Sequence, residues 1–303
     1  MSEPISAELR QLLRRLKLSP VLDTLPERLA LARESHLPYQ DFLAVILADE
    51  VERRDRTGAA LRAKAARLDA TMTIDDWDHT TAAVFDRDLW AELLTLRFIE
   101  AGHDLIIAGP IGVGKTFMAN AVGHIASRRH YRVHFARCDQ LLKRLRAARL
   151  DNSHDAEIRR LIAVDLLVLD DFCLKPLDAA ETSDVFELIV ERHRRSSTIV
   201  TTNREPPGEW LAAMADPLLA ESAIDRLTSN AYHLVVEGPS YRQRQRPKPP
   251  GQPSPPQSGG PNPLSDPRQP ANAGVKAKPS GRPAAGLDPG STRRSKDTPL
   301  TPS

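Results

Sequence analysis

Apolar residues recur at three- and four-residue intervals through the first part of the chain. Leu9, Leu12, Leu13 and Leu16 form one stripe, Leu22, Leu25, Leu29 and Ala32 a second, and Phe42 to Leu68 carries a third. That period predicts helices, punctuated at Pro20, Pro26 and Pro38, and residues 1–68 read as a small all-α domain. The pattern then changes. Residues 69–85 read as an acidic linker, and a helix is expected from about Asp86 to Ala101. Short apolar runs follow at 104–108, 132–136, 165–169, 197–201 and 232–236, with helical segments between them. Alternation of this kind predicts an α/β domain over 86–243, a five-stranded parallel sheet sandwiched by helices.

The first of these strands runs straight into GPIGVGKT, 109–116, and then into a helical stretch beginning at Phe117. Strand, Gly-rich loop and helix in that order make a phosphate-binding loop. Gly109 and Gly114 allow a tight turn whose backbone N–H groups, with the following helix N-terminus, can hold phosphate oxygens. Lys115 reaches the outer phosphates and Thr116 offers a hydroxyl to magnesium. The third strand, LLVLDD, ends in Asp170 and Asp171. Acids at the C-terminal end of a central parallel strand sit where ligands bind in such sheets. Asp170 is then the metal partner, and Asp171 orients or deprotonates the attacking water. An Asp pair before a helix is also an ordinary turn or cap.

One strand and two helices separate the two motifs, so their strands are not sequential neighbours. A strand inserted between them is the simplest arrangement, and the fourth strand supplies it. Its end, TIVTTNRE, places Asn203 where it can bond both water and outer phosphate, although a turn residue before Pro206 and Pro207 is the plainer reading. Arg226, in SAIDRL, has the bidentate fork suited to a phosphate; alone, such a residue is more often a surface ion-pair partner.

Composition divides the chain. The net charge is +2 and 41% of residues are hydrophobic, enough for a core over most of the length. From Tyr241 onward stand 15 of the 25 prolines and a net charge of +8, leaving −6 for the first 240 residues. Residues 244–303 therefore read as a disordered, basic, Pro-rich tail, open either to loose nucleic-acid contact or to no partner at all. A second basic feature lies in the third helix, where Arg53, Arg54, Arg56, Arg62, Lys64 and Arg67 are opposed in that half only by Asp55. These six are the candidates for contact with a DNA backbone, against the alternative of a solvated face. Two cysteines, Cys138 and Cys173, are too few for a disulfide framework and fit a reducing cytoplasm. Neither a secretory signal nor a membrane-spanning stretch is expected.

The set GPIGVGKT, LLVLDDF, TIVTTNRE, AIDRL and GPSYR, in this order, resembles the AAA+ P-loop ATPases of the initiator and helicase-loader group, and more closely the IstB-like ATP-binding proteins, transposition helpers of bacterial insertion sequences. The resemblance covers about residues 8–245 and includes the leading helical block. It implies an ATP- and Mg2+-dependent ATPase that self-associates on duplex DNA, deforms it and assists a partner transposase. By matching positions, the loop residues Gly109 to Phe117 hold nucleotide, with Pro110, Ile111 and Val113 among them. Thr116 and Asp170 hold the metal, while Lys115, Asp171 and Asn203 act in hydrolysis. Arg226 becomes a finger given to a neighbouring subunit, and Arg242 of GPSYR a second nucleotide sensor. A tail of this length departs from the family pattern. A DnaC-like replicative helicase loader would share nearly every motif. A small-molecule kinase would need a lid and an acceptor pocket, for which the region between the last two strands offers only a short Pro-bounded helical stretch.

Overall fold

A computed structural model describes residues 5–78 and 82–244. The chain divides into a compact unit, Met1–Lys248, and a second one, Pro249–Ser303, outside the described residues. The expectation of a disordered tail over 244–303 lies almost wholly there.

Three helices open the chain, α1 (Ala7–Arg15), α2 (Val21–Glu34) and α3 (Tyr39–Ala65). Ser6 caps α1 by accepting from the Leu9 N–H. Val21, Leu25 and Ile46 form a small core between α2 and α3, backed by Leu13, Leu29 and Phe42. α3 is continuous, and its far end belongs to another core: Ala63, Ala66 and Leu68 pack with Met118 and Val122 of α6 (Lys115–Arg128). One helix thus joins the leading block to the nucleotide fold.

The single helix expected over 86–101 is two. Asp86 caps α4 (Arg87–Leu94), and the chain breaks at Leu96, which is left-handed at φ 65°, before α5 (Arg97–Glu100). Leu96 is fully buried, so packing of its side chain holds a backbone conformation that leucine otherwise avoids. The region expected as a linker is also tied down. Val84 pairs with Glu237, and Asn120 of α6 accepts from the Asp69 N–H at 2.9 Å.

The strands are β1 (Asp104–Ala108), β2 (Val133–Arg137), β3 (Leu166–Asp170), β4 (Ser197–Thr202) and β5 (Ala231–Val235), each within a residue or so of expectation. They make one parallel sheet in the order β2-β3-β4-β1-β5. β4 therefore lies between β1 and β3, as the motif spacing requires, in a parallel α/β sheet of phosphate-loop type. Leu105, Ile107, Val168 and Ile199 point to one face and Ile106, Leu167, Leu169 and Val200 to the other. Burial on both faces accounts for their unbroken apolar runs. The first face meets α6. Against the other pack α7 (Cys138–Ala148), α8 (His154–Ile162), α9 (Ala179–Arg192), α10 (Gly208–Ala213) and α11 (Pro217–Ser229). Cys138 and Cys173 are buried and free in this second layer, where burial pushes the Cys138 thiol up to about 12. Among the described residues no helix is long and apolar enough to cross a membrane.

Candidate functional site

All five strands end on one side of the sheet, and the predicted phosphate loop leaves β1 there. Gly109, Gly112 and Gly114 have φ of 154°, 88° and 106°. Two of them also have no room for a side chain: a Cβ on Gly109 would stand 2.0 Å from the Val236 carbonyl oxygen, and one on Gly112 2.2 Å from Ser240 Oγ. The loop is thus fixed by glycine geometry and by the chain after β5. Val113 is buried beneath it, whereas Pro110 and Ile111 lie exposed on its rim.

Lys115 begins α6 and is buried to 7% exposure, its Nζ donating at 2.7 Å to the carbonyls of both Gly109 and Pro110. Burial lowers its pKa, while the nearby Asp171 and Asp170 oppose that shift. The ammonium is therefore folded back onto its own loop. Thr116 donates its hydroxyl to Asp170 Oδ1 at 2.9 Å, and Thr201 of β4 donates to the same oxygen at 2.6 Å. Oδ2 has no hydrogen-bond partner among the described residues. Burial raises the Asp170 pKa against those two hydroxyls, and Asp171 raises it further. A buried carboxyl held by hydroxyls, beside a Thr at a helix N-terminus with free backbone donors, suits a triphosphate with its magnesium: Thr116 and Asp170 would hold the cation and the loop N–H groups with Lys115 the phosphates.

Asp171 leaves the strand at φ 56°, its N–H donating to Thr201 Oγ1 at 3.0 Å. It is part-exposed, with Arg137 at the end of β2 3.8 Å from its Oδ2. Asn203 is exposed just beyond β4, on the same side. Arg242 is exposed in α12 (Tyr241–Arg244), close enough for its charge to depress the Lys115 pKa, and the preceding Tyr241 N–H donates to the Gly112 carbonyl at 2.8 Å. Phe117, in the first turn of α6, meets Trp77 edge-on at 5.3 Å, and Trp77 also lies against Gly114. The structure therefore brings together the loop, Asp170, Asp171, Asn203 and Arg242.

Arg226 stands apart. It occupies the last turn of α11, which leads into the start of β5, and so lies at the opposite edge of the sheet, beside His193. A five-residue strand spans about 16 Å, which puts its own phosphate loop out of reach. Its Nη1 is turned back to the Ser222 carbonyl at 2.8 Å.

The basic half of α3 is opposed by more than Asp55. Glu50, only 4% exposed, accepts from Arg53 at 2.8 Å and Arg54 at 2.7 Å, and Glu52 accepts from Arg56 at 2.6 Å. These are i,i+3 and i,i+4 pairs whose acids fall in the apolar half of the helix, which is why a reading that begins at Arg53 leaves them out. Arg62 donates to the Ser127 carbonyl of α6 at 2.8 Å. Lys64 and Arg67 have no acid partner among the described residues.

Sequence reasoning did not single out Thr201, Arg137 or Trp77. Thr201 was within reach, since it stands two residues before Asn203 on the strand placed beside β3. Arg137 pairs in register with Asp170, a relation that needs the strand order as well.

The chain matches the IstB-like ATP binding protein family over residues 11–249. It is 36% identical over 239 residues to a Mycobacterium tuberculosis protein named for ATP binding and its insertion sequence, covering 79% of this chain and 95% of that one. A Pseudomonas aeruginosa protein likewise named for ATP binding and for insertion sequence IS21 is 33% identical over 241 residues, 80% of this chain and 91% of its own. Among solved structures the chain is similar to the crystal structure of the DnaC helicase loader, with TM-score 0.45, 20% identity, and coverage of 55% of this chain and 97% of that chain.

Proposed function

As the chain belongs to the IstB-like ATP-binding protein family, we propose that it is a magnesium-dependent ATPase that assembles on duplex DNA, deforms it and assists the transposase of an insertion sequence. The observation that carries the enzymatic part is the contact between Thr116 and Asp170, which joins the helix after the phosphate loop to the acid closing β3 at 2.9 Å. Bound magnesium would neutralise charge developing on the phosphates. The chain's own groups do the rest. Backbone N–H groups of the loop orient the phosphates, and Lys115 exchanges two loop carbonyls for the outer phosphate. Asp171, whose part-exposed carboxylate bonds neither of Asp170's hydroxyl partners, positions and accepts a proton from the attacking water, together with Asn203. Arg137 holds the Asp171 carboxylate near that position.

The placement of Arg226 at the far edge of the sheet supports a finger acting in trans, because one subunit's Arg226 would reach the nucleotide only across an interface. Nucleotide held between subunits would then stabilise an oligomer, and the oligomer would curve DNA. Smooth bending of a short site by 40 to 90° costs about 1 to 6 kcal/mol, which several phosphate contacts per subunit offset. Insertion-sequence relatives favour a transposase over a replicative helicase as partner.

ATP turnover measured with and without duplex DNA tests this reading. Wild-type chain should hydrolyse ATP faster on DNA, Asp171→Asn should bind ATP without turning it over, and pull-down should retain the element's transposase. Turnover by Asp171→Asn at the wild-type rate, or capture of a replicative helicase instead of the transposase, would refute the corresponding part.

A further inference from the structure

Three arginines from three separate elements meet at the outer edge of the sheet. β2 is an edge strand, and the end of α3 is fastened to it by the Phe135 N–H donating to the Ala66 carbonyl at 2.8 Å. Arg67 follows at once, exposed and left-handed at φ 64°, a position that glycine would fill with less strain. Arg144 of α7 reaches the same place, its Nη2 3.4 Å from His134 Nε2 on β2. Arg160 of α8 completes the group. Among the described residues one carboxylate pairs with them: Glu157 Oε2 is 2.8 Å from Arg160 Nη2 and 3.6 Å from Arg144 Nε. Arg144 Nε is buried without a hydrogen-bond partner. The charges of Arg67, Arg144 and Arg160 all bear on His134, which burial and those cations push down to about 4, so the imidazole between them is neutral at physiological pH.

The same edge continues into a groove of about 1010 Å³ between α3 and α6. Ala59, Ala60 and Ala63 line it with small side chains that let a chain approach closely; Lys64 and Arg67 stand along it, as do Arg128, paired with Asp75 at 3.4 Å, and the acids Glu52 and Asp55. At the β2 edge, three cations sharing Glu157, with a buried Arg144 Nε that makes no hydrogen bond among the described residues, are an unfinished arrangement, one that an extended polyanion completes.

We propose that Arg67, Arg144 and Arg160, with the groove between α3 and α6, hold the phosphodiester backbone of duplex DNA. This rests on the DNA-binding reading above and moves the contact away from Arg53, Arg54 and Arg56, whose charges Glu50 and Glu52 already answer. The surface reads no sequence, because guanidinium groups on phosphates fix position and carry no base information.

Anisotropy of a labelled duplex, measured with full-length chain and ATP over a range of salt, tests it. Each phosphate contact contributes about 0.9 to the slope of log affinity against log salt. The variant R67Q/R144Q/R160Q should lose about 3 from that slope and bind at least about tenfold more weakly at fixed salt. Arg67→Gln alone, at an exposed residue with no acid partner among the described residues, should lose about 1, so the result does not hang on the folding of the triple variant. Arg195→Gln, on the surface at the end of α9, should leave the slope unchanged. A slope equal to wild type in Arg67→Gln and in a triple variant that still binds ATP would overturn the proposal while leaving DNA binding intact. No duplex binding by the wild-type chain would instead remove the reading beneath it.

Discussion

The two edges of the sheet both bury charge, and they treat it differently. At the C-terminal edge, among the described residues, Lys115 bonds two carbonyls of its own loop and Asp170 takes both its hydroxyl bonds on Oδ1. At the N-terminal edge Arg192, 1% exposed, donates to the carbonyls of Leu161, Val164 and Ser197 and to Thr198 Oγ1, while Asp104 accepts from the Thr198 N–H at 2.7 Å. The first set is held by partners that a ligand can replace; the second is closed on backbone that nothing can replace. Burial and a shifted pKa are common to both. Only the replaceability of the partners separates a site from a brace.

Arg226 offers the sharpest way to break this comparison, since it belongs to the braced edge by position and to the other by proposed role. Arg226→Ala should lower hydrolysis by about 10³ to 10⁵ with nucleotide affinity retained. Mixing it with Asp171→Asn should restore part of the activity, because hybrid interfaces then carry one intact finger and one intact acid. Unchanged turnover in Arg226→Ala would leave it a structural residue like its neighbours.

Arg192→Met should cost about 3 to 5 kcal/mol in urea unfolding, because it strands several buried carbonyls at once. Lys115→Met should do the reverse. Without nucleotide its stability should stay within about 1 kcal/mol of wild type, since a desolvated ammonium is replaced by a thioether, while ATP binding by calorimetry disappears. Similar losses of stability in the two variants would erase the distinction between the edges.

The smallest effect concerns pH. Burial pushes Asp104 up to about 7, against the Thr198 N–H and the charge of Arg192. A carboxyl with a raised pKa holds its proton in the folded state at pH values where the unfolded chain has released it, so its contribution to stability falls as pH rises from about 4 towards 7. Asp104→Asn should flatten that part of the urea midpoint's pH dependence. A pH profile identical to wild type would show that Asp104 is ionised throughout.

The nucleotide edge was largely legible beforehand because its chemistry is local. A loop, two acids and an Asn each sit in a short string, and the insertion of β4 followed from counting elements between motifs. The brace was not. Arg192 reads as one more cation in ERHRR, and only the meeting of α8, α9 and β4 shows that it is surrounded by carbonyls. The left-handed Leu96 was equally silent, since leucine there is set by tertiary packing and has no local signature. Trp77 stood in a stretch that looked like connector, and its approach to Gly114 goes with edge-on ring contacts to Phe85 and to Phe117, which is far from it in sequence.

α3 runs for 27 residues, about 40 Å, with no break between the block at its beginning and α6, the helix that starts at the phosphate loop, at its end. A continuous helix of that length transmits tilt along its axis, so a rotation of α6 would carry the amino-terminal helices with it.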